Sequence, residues 1–377
     1  MRLITTLTAI LYTVFSAQII AQSNVTPQVI TPLSSTINES SGLINLDGSL
    51  WTHNDSGNQP ELYEINKTDG SVLRTVLIQN ATNVDWEDLA ADSEYVYIGD
   101  FGNNSGSRTD LKIYRISRSD LAFSNSVPAE VINFSYSDQT SWDPHPNQTD
   151  FDCEGFVVFQ DSLYLFSKDW VDKKTRMYQL SSQPGTYIAQ YRSTFDVQGL
   201  ITAAEMFSPE VLALQGYTTL LSPFTWLFQQ YTGTDFFLGE NIKLNWTNKA
   251  QTEGIAYADS NGVYVTSEKA PSPLPYAATL FYLDISEYLI VPPPSGIGTI
   301  IPDVRIHGNH FTVTVSSQNE NLILKTISIT NTIGLLLKQI NNILGTSIII
   351  PFNFKPGIYL ITVETDKGTF TKKLLIQ

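Results

Sequence analysis

A short phrase recurs five times along this 377-residue chain and constrains its fold more than any other feature. In its fullest form it reads Asp152-Cys153-Glu154-Gly155-Phe156: an acid, any residue, Glu or another polar residue, Gly, and a large apolar residue. The other four copies begin at Glu39, Asp85, Asp196 and Gln251. Recurrence of one phrase indicates a chain built from copies of one supersecondary unit.

Each copy is followed by a run of apolar and aromatic residues that ends on polar side chains, as in 163–168 and 263–268. The two phrases together predict a strand, a hairpin and a second strand. Several short strands per unit, repeated at roughly 40 to 50 residues, are typical of β-propellers. We therefore expect an all-β protein with a five- or six-bladed β-propeller. The segment 25–37 then completes the last blade or contributes to a sixth.

The composition along the chain predicts four segments. Residues 1–21 have an early base, an apolar run and a small-residue exit, which is typical of a secretory signal peptide; the alternative is an uncleaved anchor. Residues 22–290 hold the propeller. Residues 291–300 are a linker, because three prolines followed by glycines cannot join a sheet. Residues 301–377 contain short, turn-bounded strands and predict a small antiparallel β-sandwich.

The net charge of −15 is concentrated in the predicted propeller, because the segment from residue 301 onward carries more bases than acids. Such a domain repels nucleic acid and acidic membranes and favours metal cations or cationic partners. The alternative is that the charge serves only solubility. The single Cys153 allows no internal disulfide, and no transmembrane span is predicted beyond the N-terminus.

The repeated phrase also predicts a ring of carboxylates at one mouth of the propeller channel. The first strand of a blade runs away from the mouth and the second strand runs back to it. The start of the repeated phrase therefore lies close to the polar end of the apolar run that follows it. Side chains two positions apart on a strand point the same way. Clustered carboxylates require a cation, and oxygen ligands suit Ca²⁺ or Mg²⁺, so calcium is the candidate cofactor. The predicted metal ligands are Glu39, Asp85, Glu87, Asp152, Glu154 and Glu253, and Asp196 belongs to the same ring.

The second strands bring further polar residues to this mouth. His53 beside Asp55 is a candidate general base pair, and Asp100, Lys168 and Glu268 are candidate substrate-binding residues. The alternative is that polar residues at strand starts tie blades together by accepting backbone N–H groups, which makes the ring structural.

The C-terminal segment resembles the sorting domain of the bacterial type IX secretion system. The motifs that carry the resemblance are Phe311 to Val315, Ile327 to Asn331, Lys355 to Val363 and Lys372 to Ile376. The family opens with Pro-Asn-Pro, where this chain has Pro302-Asp303-Val304. The resemblance implies that the type IX machinery handles residues 301–377. It also implies a protein that is secreted, or attached to the outer surface of a Gram-negative bacterium. The alternative is an ordinary sandwich used for adhesion or carbohydrate contact.

The main domain resembles secreted bacterial propellers of the broad phytase-like, esterase-like and SMP-30/gluconolactonase-like group. The resemblance rests on the Glu-Gly-apolar phrases and on the segment 50–58. It implies carboxylates and Ca²⁺ at the channel, used on phosphate esters or lactones. No serine elbow, phosphate loop, dinucleotide fingerprint or zinc spacing is present in the sequence.

Two functions from different classes remain open at this stage. The first is a binding module that holds a small molecule, glycan or protein at the channel mouth. Its contact surface would include Phe224, Trp226 and Phe228, unless these are core residues. The alternative is a calcium-dependent hydrolase of small esters, lactones or phosphate esters, in which His53 and Asp55 assist the attack of water.

Overall fold

The computed structural model describes residues 21–290, apart from 260 and 271–276, and several C-terminal segments. These segments are 304–308, 312–317, 324–331, 335–341, 343, 347–351, 357–365 and 368–376. The expected signal peptide, apart from its last residue, and the expected linker lie outside the described residues.

Residues 21–290 form five antiparallel units of four strands each. The described chain opens with β1 (Ala21–Val25) and β2 (Gln28–Pro32). Unit one contains β3 (Ser40–Leu46), β4 (Ser49–Asn54), β5 (Glu61–Ile65) and β6 (Val72–Ile78). Unit two contains β7 (Trp86–Ala91), β8 (Tyr95–Asp100), β9 (Lys112–Ser117) and β11 (Glu130–Tyr136), with the short β10 (Ser126–Val127) between the last two in sequence.

The remaining three units repeat the same order. Unit three contains β12 (Cys153–Phe159), β13 (Ser162–Ser167), β14 (Thr175–Ser181) and β15 (Gly185–Phe195). Unit four contains β16 (Leu200–Ser208), β17 (Val211–Tyr217), β18 (Pro223–Gln229) and β19 (Glu240–Trp246). Unit five contains β20 (Thr252–Asp259), β21 (Gly262–Ser267) and β22 (Thr279–Asp284), and takes β2 as its fourth strand.

The first strands of the units make a closed ring. β3 contacts β7, β7 contacts β12, β12 contacts β16, β16 contacts β20, and β20 contacts β3. The ring is completed from the beginning of the chain, because β2 pairs antiparallel with β22, with Gln28 opposite Tyr282. Of the two alternatives predicted for the segment 25–37, the structure shows the first, because β2 supplies the fourth strand of unit five. The described residues contain no sixth unit.

Outer strands add parallel pairings at the periphery. β11 pairs with β15, which joins units two and three into one eight-stranded sheet. β1 pairs with β19 on the edge of unit four, and β10 pairs with β6 on the edge of unit one. The described residues also include one short helix, α1 (Arg118–Phe123), and two 3-10 turns, Ser35–Ile37 and Phe236–Leu238. No helix among them is long and apolar enough to span a bilayer.

Large aromatic side chains fill the layers between neighbouring units. Trp51, Trp86 and Tyr114 pack in the layer shared by units one and two. Phe224, Trp226 and Phe228 lie on β18 and are fully buried in the layer between units three and four. They are therefore core residues, which is the alternative that the sequence left open to a contact surface. Cys153 is a buried free thiol and packs as an apolar side chain in another such layer.

The C-terminal segments form two antiparallel sheets. One contains β23 (Val304–Gly308), β24 (Thr312–Ser317) and β27 (Ser347–Pro351). The other has the order β26 (Leu336–Asn341), β25 (Leu324–Asn331), β28 (Gly357–Thr365) and β29 (Gly368–Ile376). Ile350 of the first sheet packs in one buried apolar cluster with Ile327, Ile329 and Ile361 of the second.

Candidate functional site

The first strand of every unit carries a β-bulge at the same place. The residues skipped by the strand pairing include Glu87, Glu154 and Glu253 in units two, three and five. In units one and four the skipped residues are Gly42 and Thr202. A bulge leaves a residue outside the hydrogen-bonded ladder and re-aims its side chain. In three of the five units, the re-aimed side chain is a glutamate.

The bulge corrects the sequence alignment of the fourth unit. The repeated phrase was placed at Asp196 to Leu200, but the bulge residue of this unit is Thr202, on a strand that begins at Leu200. Asp196 follows the last strand of unit three, and its side chain is exposed. It therefore does not belong to the carboxylate ring.

Backbone hydrogen bonds bring the end of each second strand to the start of the first, as predicted. The N–H of Lys168 donates to the carbonyl of Asp152 (2.7 Å), and the N–H of Glu268 donates to that of Gln251 (3.0 Å). In unit one, the N–H of Asp55 donates to the carbonyl of Glu39 (2.9 Å). Polar side chains from the two phrases consequently meet at one mouth of the ring.

Five of the predicted residues form two overlapping groups of carboxylates. In one group, an oxygen of Asp55, of Asp85 and of Glu87 all lie within 4.8 Å of one another. In the other, an oxygen of Glu87, of Asp152 and of Glu154 do the same. Glu87 belongs to both groups. The first group is partly accessible, because Asp55 and Asp85 are half-buried, whereas the second is fully buried.

Two more carboxylates extend this acidic mouth toward unit five. Glu253 is buried and Glu268 is half-buried, and their carboxyl groups lie within hydrogen-bonding reach of one another. Gln251 Nε2 donates to Glu268 Oε1 at 2.6 Å. Glu268, predicted as a substrate-binding residue, therefore belongs to the same acidic cluster as the predicted metal ligands.

The electrostatics of the mouth disfavour full ionisation. Burial, followed by repulsion from Glu154, raises the pKa of Glu87 well above its usual value. Burial is also the largest cause that raises the pKa of Glu154 and of Glu253 well above their usual values. It raises the pKa of Asp85 and of Glu268 to about 7. Carboxylates in such surroundings take up protons unless a cation compensates their charge.

Glu87 stands out because it is only 5% exposed and its carboxyl lies within hydrogen-bonding reach of another buried carboxyl, that of Glu154. A glycine keeps the space beside it open. A Cβ atom added to Gly102 would lie 2.0 Å from Glu87 Oε1 and 2.5 Å from Asp85 Oδ2. A larger residue at position 102 would therefore displace both carboxylates.

Lys168 is the counter-ion of the buried group and is not a free anion binder. Its Nζ lies 3.1 Å from Glu154 Oε1, and its side chain is buried. The rings of Trp170 and Tyr217 flank the ammonium at 5.2 and 5.5 Å. Burial opposes its charge, but the surrounding carboxylates, Glu154 first, raise the pKa of Lys168 well above its usual value.

Residues outside the repeated phrases hold the acids in place. The Asn103 N–H donates to Asp152 Oδ1 (2.6 Å) and the Trp170 Nε1 donates to Asp152 Oδ2 (2.7 Å). Asp100 forms an ion pair with Arg108 at 2.9 Å and accepts the Asp85 N–H at 3.1 Å. Asp100 was predicted to bind substrate, but it is fully buried and positions Asp85.

The structure places two other predicted residues away from the carboxylate groups. His53 is fully buried, donates from Nδ1 to the carbonyl of Asn54 (3.0 Å), and packs its ring edge-on against Trp86 at 5.5 Å. Burial lowers its pKa to about 4. Glu39 is exposed at the rim, where it accepts a hydrogen bond from Asn58 Nδ2 (2.7 Å).

Ties between units, the alternative role proposed for the ring, are made by other polar side chains. Asp88 Oδ2 accepts the N–H groups of Phe156 and Ala204, both at 3.1 Å, and its Oδ1 accepts the N–H of Leu89. One buried carboxylate thus holds the first strands of three units together. Sequence reasoning missed Asp88 because it stands where the other phrases have Gly, a position that was not considered as an acid.

Hydroxyl groups make comparable ties in the units that lack a bulge glutamate. Ser41 Oγ donates to the backbone carbonyl of Glu87 (2.6 Å), which links unit one to unit two. Thr202 Oγ1 donates to the backbone carbonyl of Thr252 (2.6 Å), which links unit four to unit five. Structural ties and the acidic cluster are therefore built from different side chains.

Residues 308–377 match the family model described as the secretion system C-terminal sorting domain. This match confirms the predicted sorting domain, and the protein is secreted through the type IX system to the cell surface or the extracellular space. No curated protein matches the chain.

Several solved structures are similar to the chain at low identity. An exo-β-1,3-galactanase of Phanerochaete chrysosporium, solved with galactose, has 10% identity and a TM-score of 0.43, covering 95% of this chain and 99% of its own. The PQQ-bound aldose sugar dehydrogenase of Streptomyces coelicolor has 9% identity and a TM-score of 0.39, covering 69% and 98%. The WD40 domain of Toxoplasma gondii coronin has 9% identity and a TM-score of 0.27, covering 76% and 80%. At these values, no activity, ligand or partner transfers to this chain.

Proposed function

We propose that this secreted protein is a five-bladed propeller that binds a divalent cation at its channel mouth and uses this cation to hold a ligand. The two C-terminal sheets form the sorting sandwich that directs export. The mouth is the functional part of the propeller, and Ca²⁺ is the cation that suits it best.

The observation that carries this proposal is the position of Glu87. Its buried carboxyl belongs to both carboxylate groups and is repelled by the acids of both, Glu154 first. Ionised carboxylates that repel one another are costly to bury, and a bound cation offsets that cost. The space that Gly102 leaves beside Glu87 and Asp85 is consistent with an ion in contact with both side chains.

The donor set favours Ca²⁺ over transition metals. The cluster offers carboxylate oxygens and no imidazole or thiolate, because His53 and Cys153 are buried elsewhere in the core. Ca²⁺ takes six to eight oxygen ligands in flexible geometry, and extracellular sites work at about 10⁻⁴ to 10⁻³ M. A cation against the half-buried Asp55, Asp85 and Glu87 keeps coordination positions open toward the solvent.

These open positions and the rim of the mouth support a binding role. A ligand that supplies oxygen atoms would complete the coordination of the cation. The loops at this mouth also carry exposed apolar side chains, among them Val84 beside Asp85 and Val171 beside Trp170. Leu220, which is 77% exposed, follows the end of β17 at the same mouth. Such side chains provide contact area for a small molecule, glycan or protein.

The hydrolase alternative receives no comparable support. The predicted base, His53, donates to a backbone carbonyl and is packed against Trp86 in the core. A general base must reach the water that it activates. We therefore assign the mouth to ligand binding.

Thermal unfolding and calorimetry of the full chain test this proposal. In EDTA followed by excess Ca²⁺, we expect a saturable rise in Tm of about 5 °C or more at one hundred times Kd. In Glu87→Gln, the rise should be lost. The same variant should have a higher Tm than the unaltered chain in EDTA, because it removes a buried, repelled carboxylate.

The matched control is Glu94→Gln, which removes an exposed carboxylate from the hairpin between β7 and β8. It should retain the full calcium response. If millimolar Ca²⁺ neither raises Tm nor produces saturable heat in the full chain, the mouth holds no calcium and the proposal is wrong.

A further inference from the structure

A second pair of buried carboxylates lies beside the mouth, outside the cluster described above. Asp150 lies in the loop that leads into β12, and Asp169 lies in the loop that follows β13. Asp169 is 1% exposed and Asp150 is half-buried. The two loops are joined by a hydrogen bond from the Trp170 N–H to the carbonyl of Thr149 (3.1 Å).

Each carboxylate has one oxygen that is well satisfied and one that is not. Asp169 Oδ1 accepts the N–H groups of Val171 (2.9 Å) and Asp172 (2.8 Å). Asp150 Oδ2 accepts Arg176 Nη2 at 2.5 Å. The remaining oxygens, Asp169 Oδ2 and Asp150 Oδ1, are buried and have no hydrogen-bond donor in the described chain.

The two carboxyl groups face one another. They lie within hydrogen-bonding reach of one another. Two buried oxygens with lone pairs and no donor between them repel, so something positive must lie between them. A proton or a metal cation meets that requirement.

The charges around the pair leave it net negative when both carboxyl groups are ionised. Arg176 also lies 3.5 Å from Asp138, and Lys174 lies 3.4 Å from Asp172. The neighbourhood holds four carboxylates, Asp138, Asp150, Asp169 and Asp172, against the three cations Arg176, Lys173 and Lys174. A bound cation offsets the remaining negative charge, and two facing carboxylates offer the oxygen ligands that Ca²⁺ prefers.

We infer that Asp150 and Asp169 together bind a divalent cation of the calcium class at a site separate from the channel mouth. This ion would fasten the loop before β12 to the loop after β13. Both loops carry residues that hold the mouth, since Trp170 donates to Asp152 from the second loop. The inference stands on its own oxygens and does not depend on a cation at Glu87.

The test measures the number of calcium ions bound by calorimetry and the luminescence of Tb³⁺ in the calcium sites. Trp170 adjoins Asp169 and serves as the sensitiser. The background is the full chain carrying Glu87→Gln, in which the mouth cation is removed. In this background we expect one remaining bound ion and tryptophan-sensitised Tb³⁺ luminescence. Adding Asp169→Asn should remove both signals, with at least a tenfold loss of affinity.

Two further variants keep the test decisive. Asp150→Asn should give the same loss, so the result does not rest on one substitution that fails to fold. Asp161→Asn, an exposed acid in the hairpin between β12 and β13, should leave the ion bound. If folded Asp169→Asn or Asp150→Asn binds as many ions as the Glu87→Gln background, the pair shares a proton and the inference is wrong.

The outcomes also separate this site from the proposed mouth site. If Glu87→Gln leaves the ion count of the full chain unchanged while Asp169→Asn lowers it by one, the loop site exists and the mouth proposal fails. The reverse pattern supports the mouth and overturns the loop site.

Discussion

Buried acids in this protein differ in role because they differ in hydrogen-bond partners. Asp88 receives three backbone N–H groups, and Asp100 has an arginine and a backbone N–H. Glu87 is instead surrounded by other carboxyl groups, with Glu154 within hydrogen-bonding reach. An acid held by N–H donors stabilises the fold, and an acid surrounded by other acids is available to a cation. Residue type alone does not distinguish these cases.

The tie made by Asp88 gives a prediction for stability. Asp88→Asn keeps the volume of the side chain but turns an NH₂ group toward backbone N–H donors. A buried donor left without an acceptor costs about 1–3 kcal/mol, and three N–H groups are affected, so we expect a loss of about 3 kcal/mol or more. Urea unfolding in excess Ca²⁺ measures this loss with the mouth cation in place.

Asp196→Asn is the control for that measurement. Asp196 is exposed, and its carboxylate accepts only the N–H of Gln198 at 3.1 Å among the bonds of the described chain. We expect a change within about 0.5 kcal/mol. Equal losses in the two variants would contradict both the tie and the corrected alignment of the fourth unit.

Glu205 predicts a pH dependence of stability that is independent of the mouth. Its side chain lies between the first strands of units two, three and four, in contact with a small cavity lined by Leu89, Phe156 and Met206. Burial raises its pKa to about 8. The folded state therefore keeps a proton that the unfolded state releases above about pH 4.5. Stability is lost as the pH rises from there through 8.

Glu205→Gln should remove this loss. We expect the variant to exceed the unaltered chain by about 2 kcal/mol at pH 9, a value discounted from the full shift because the side chain is partly exposed. At pH 4 the two should be equal. Urea unfolding in EDTA from pH 4 to 9 measures the difference, and a difference that does not change with pH would contradict the assignment.

At the level of strands, the repeated phrase predicted the hairpins and the bulge glutamates of units two, three and five. It failed in unit four, where Asp196 to Leu200 resembles the phrase but lies at the junction with β16. The true bulge segment, 200–204, is buried and largely apolar, so nothing in its composition marks it. The supports Arg108, Asn103 and Trp170 lie in connecting loops, whose course depends on tertiary contacts that local patterns do not encode.

The strand that closes unit five gives a prediction at this level. Deleting residues 21–32 removes β2 and leaves β22 as an unpaired edge. It also removes Ile30, which packs against the apolar layer shared by units five and one. We expect Tm to fall by 10 °C or more, on the order of 3 kcal/mol for a domain of this size. Hydrogen exchange should show lost protection in β22.

Deleting residues 21–25 alone is the matched control. It removes β1, which pairs only with the outer edge of unit four. We expect a much smaller fall in Tm and unchanged exchange in β22. If both deletions have the same effect, β2 does not close the ring.

For the molecule as a whole, the sequence was most informative about the fold and about secretion. Strand periodicity and the repeated phrase predicted an all-β, propeller-like chain, and the C-terminal motifs predicted the sorting domain that the family model matches. The number of units was less predictable, because one of the five borrows its last strand from the beginning of the chain. The ligand could not be predicted, because its contacts come from loops and from an ion outside the chain.

Unit five is a four-strand antiparallel meander in which no turn joins the third strand, β22, to the fourth, β2. β22 ends at Asp284 and β2 begins at Gln28, and Gln28 lies opposite Tyr282 in the antiparallel pair. A tight turn of a few residues would join them without disturbing any strand pair. The chain of the propeller could therefore begin and end at a different turn without changing its strand pairs. Circular permutants that open the ring at the exposed turn near Asp69 should preserve the same mouth.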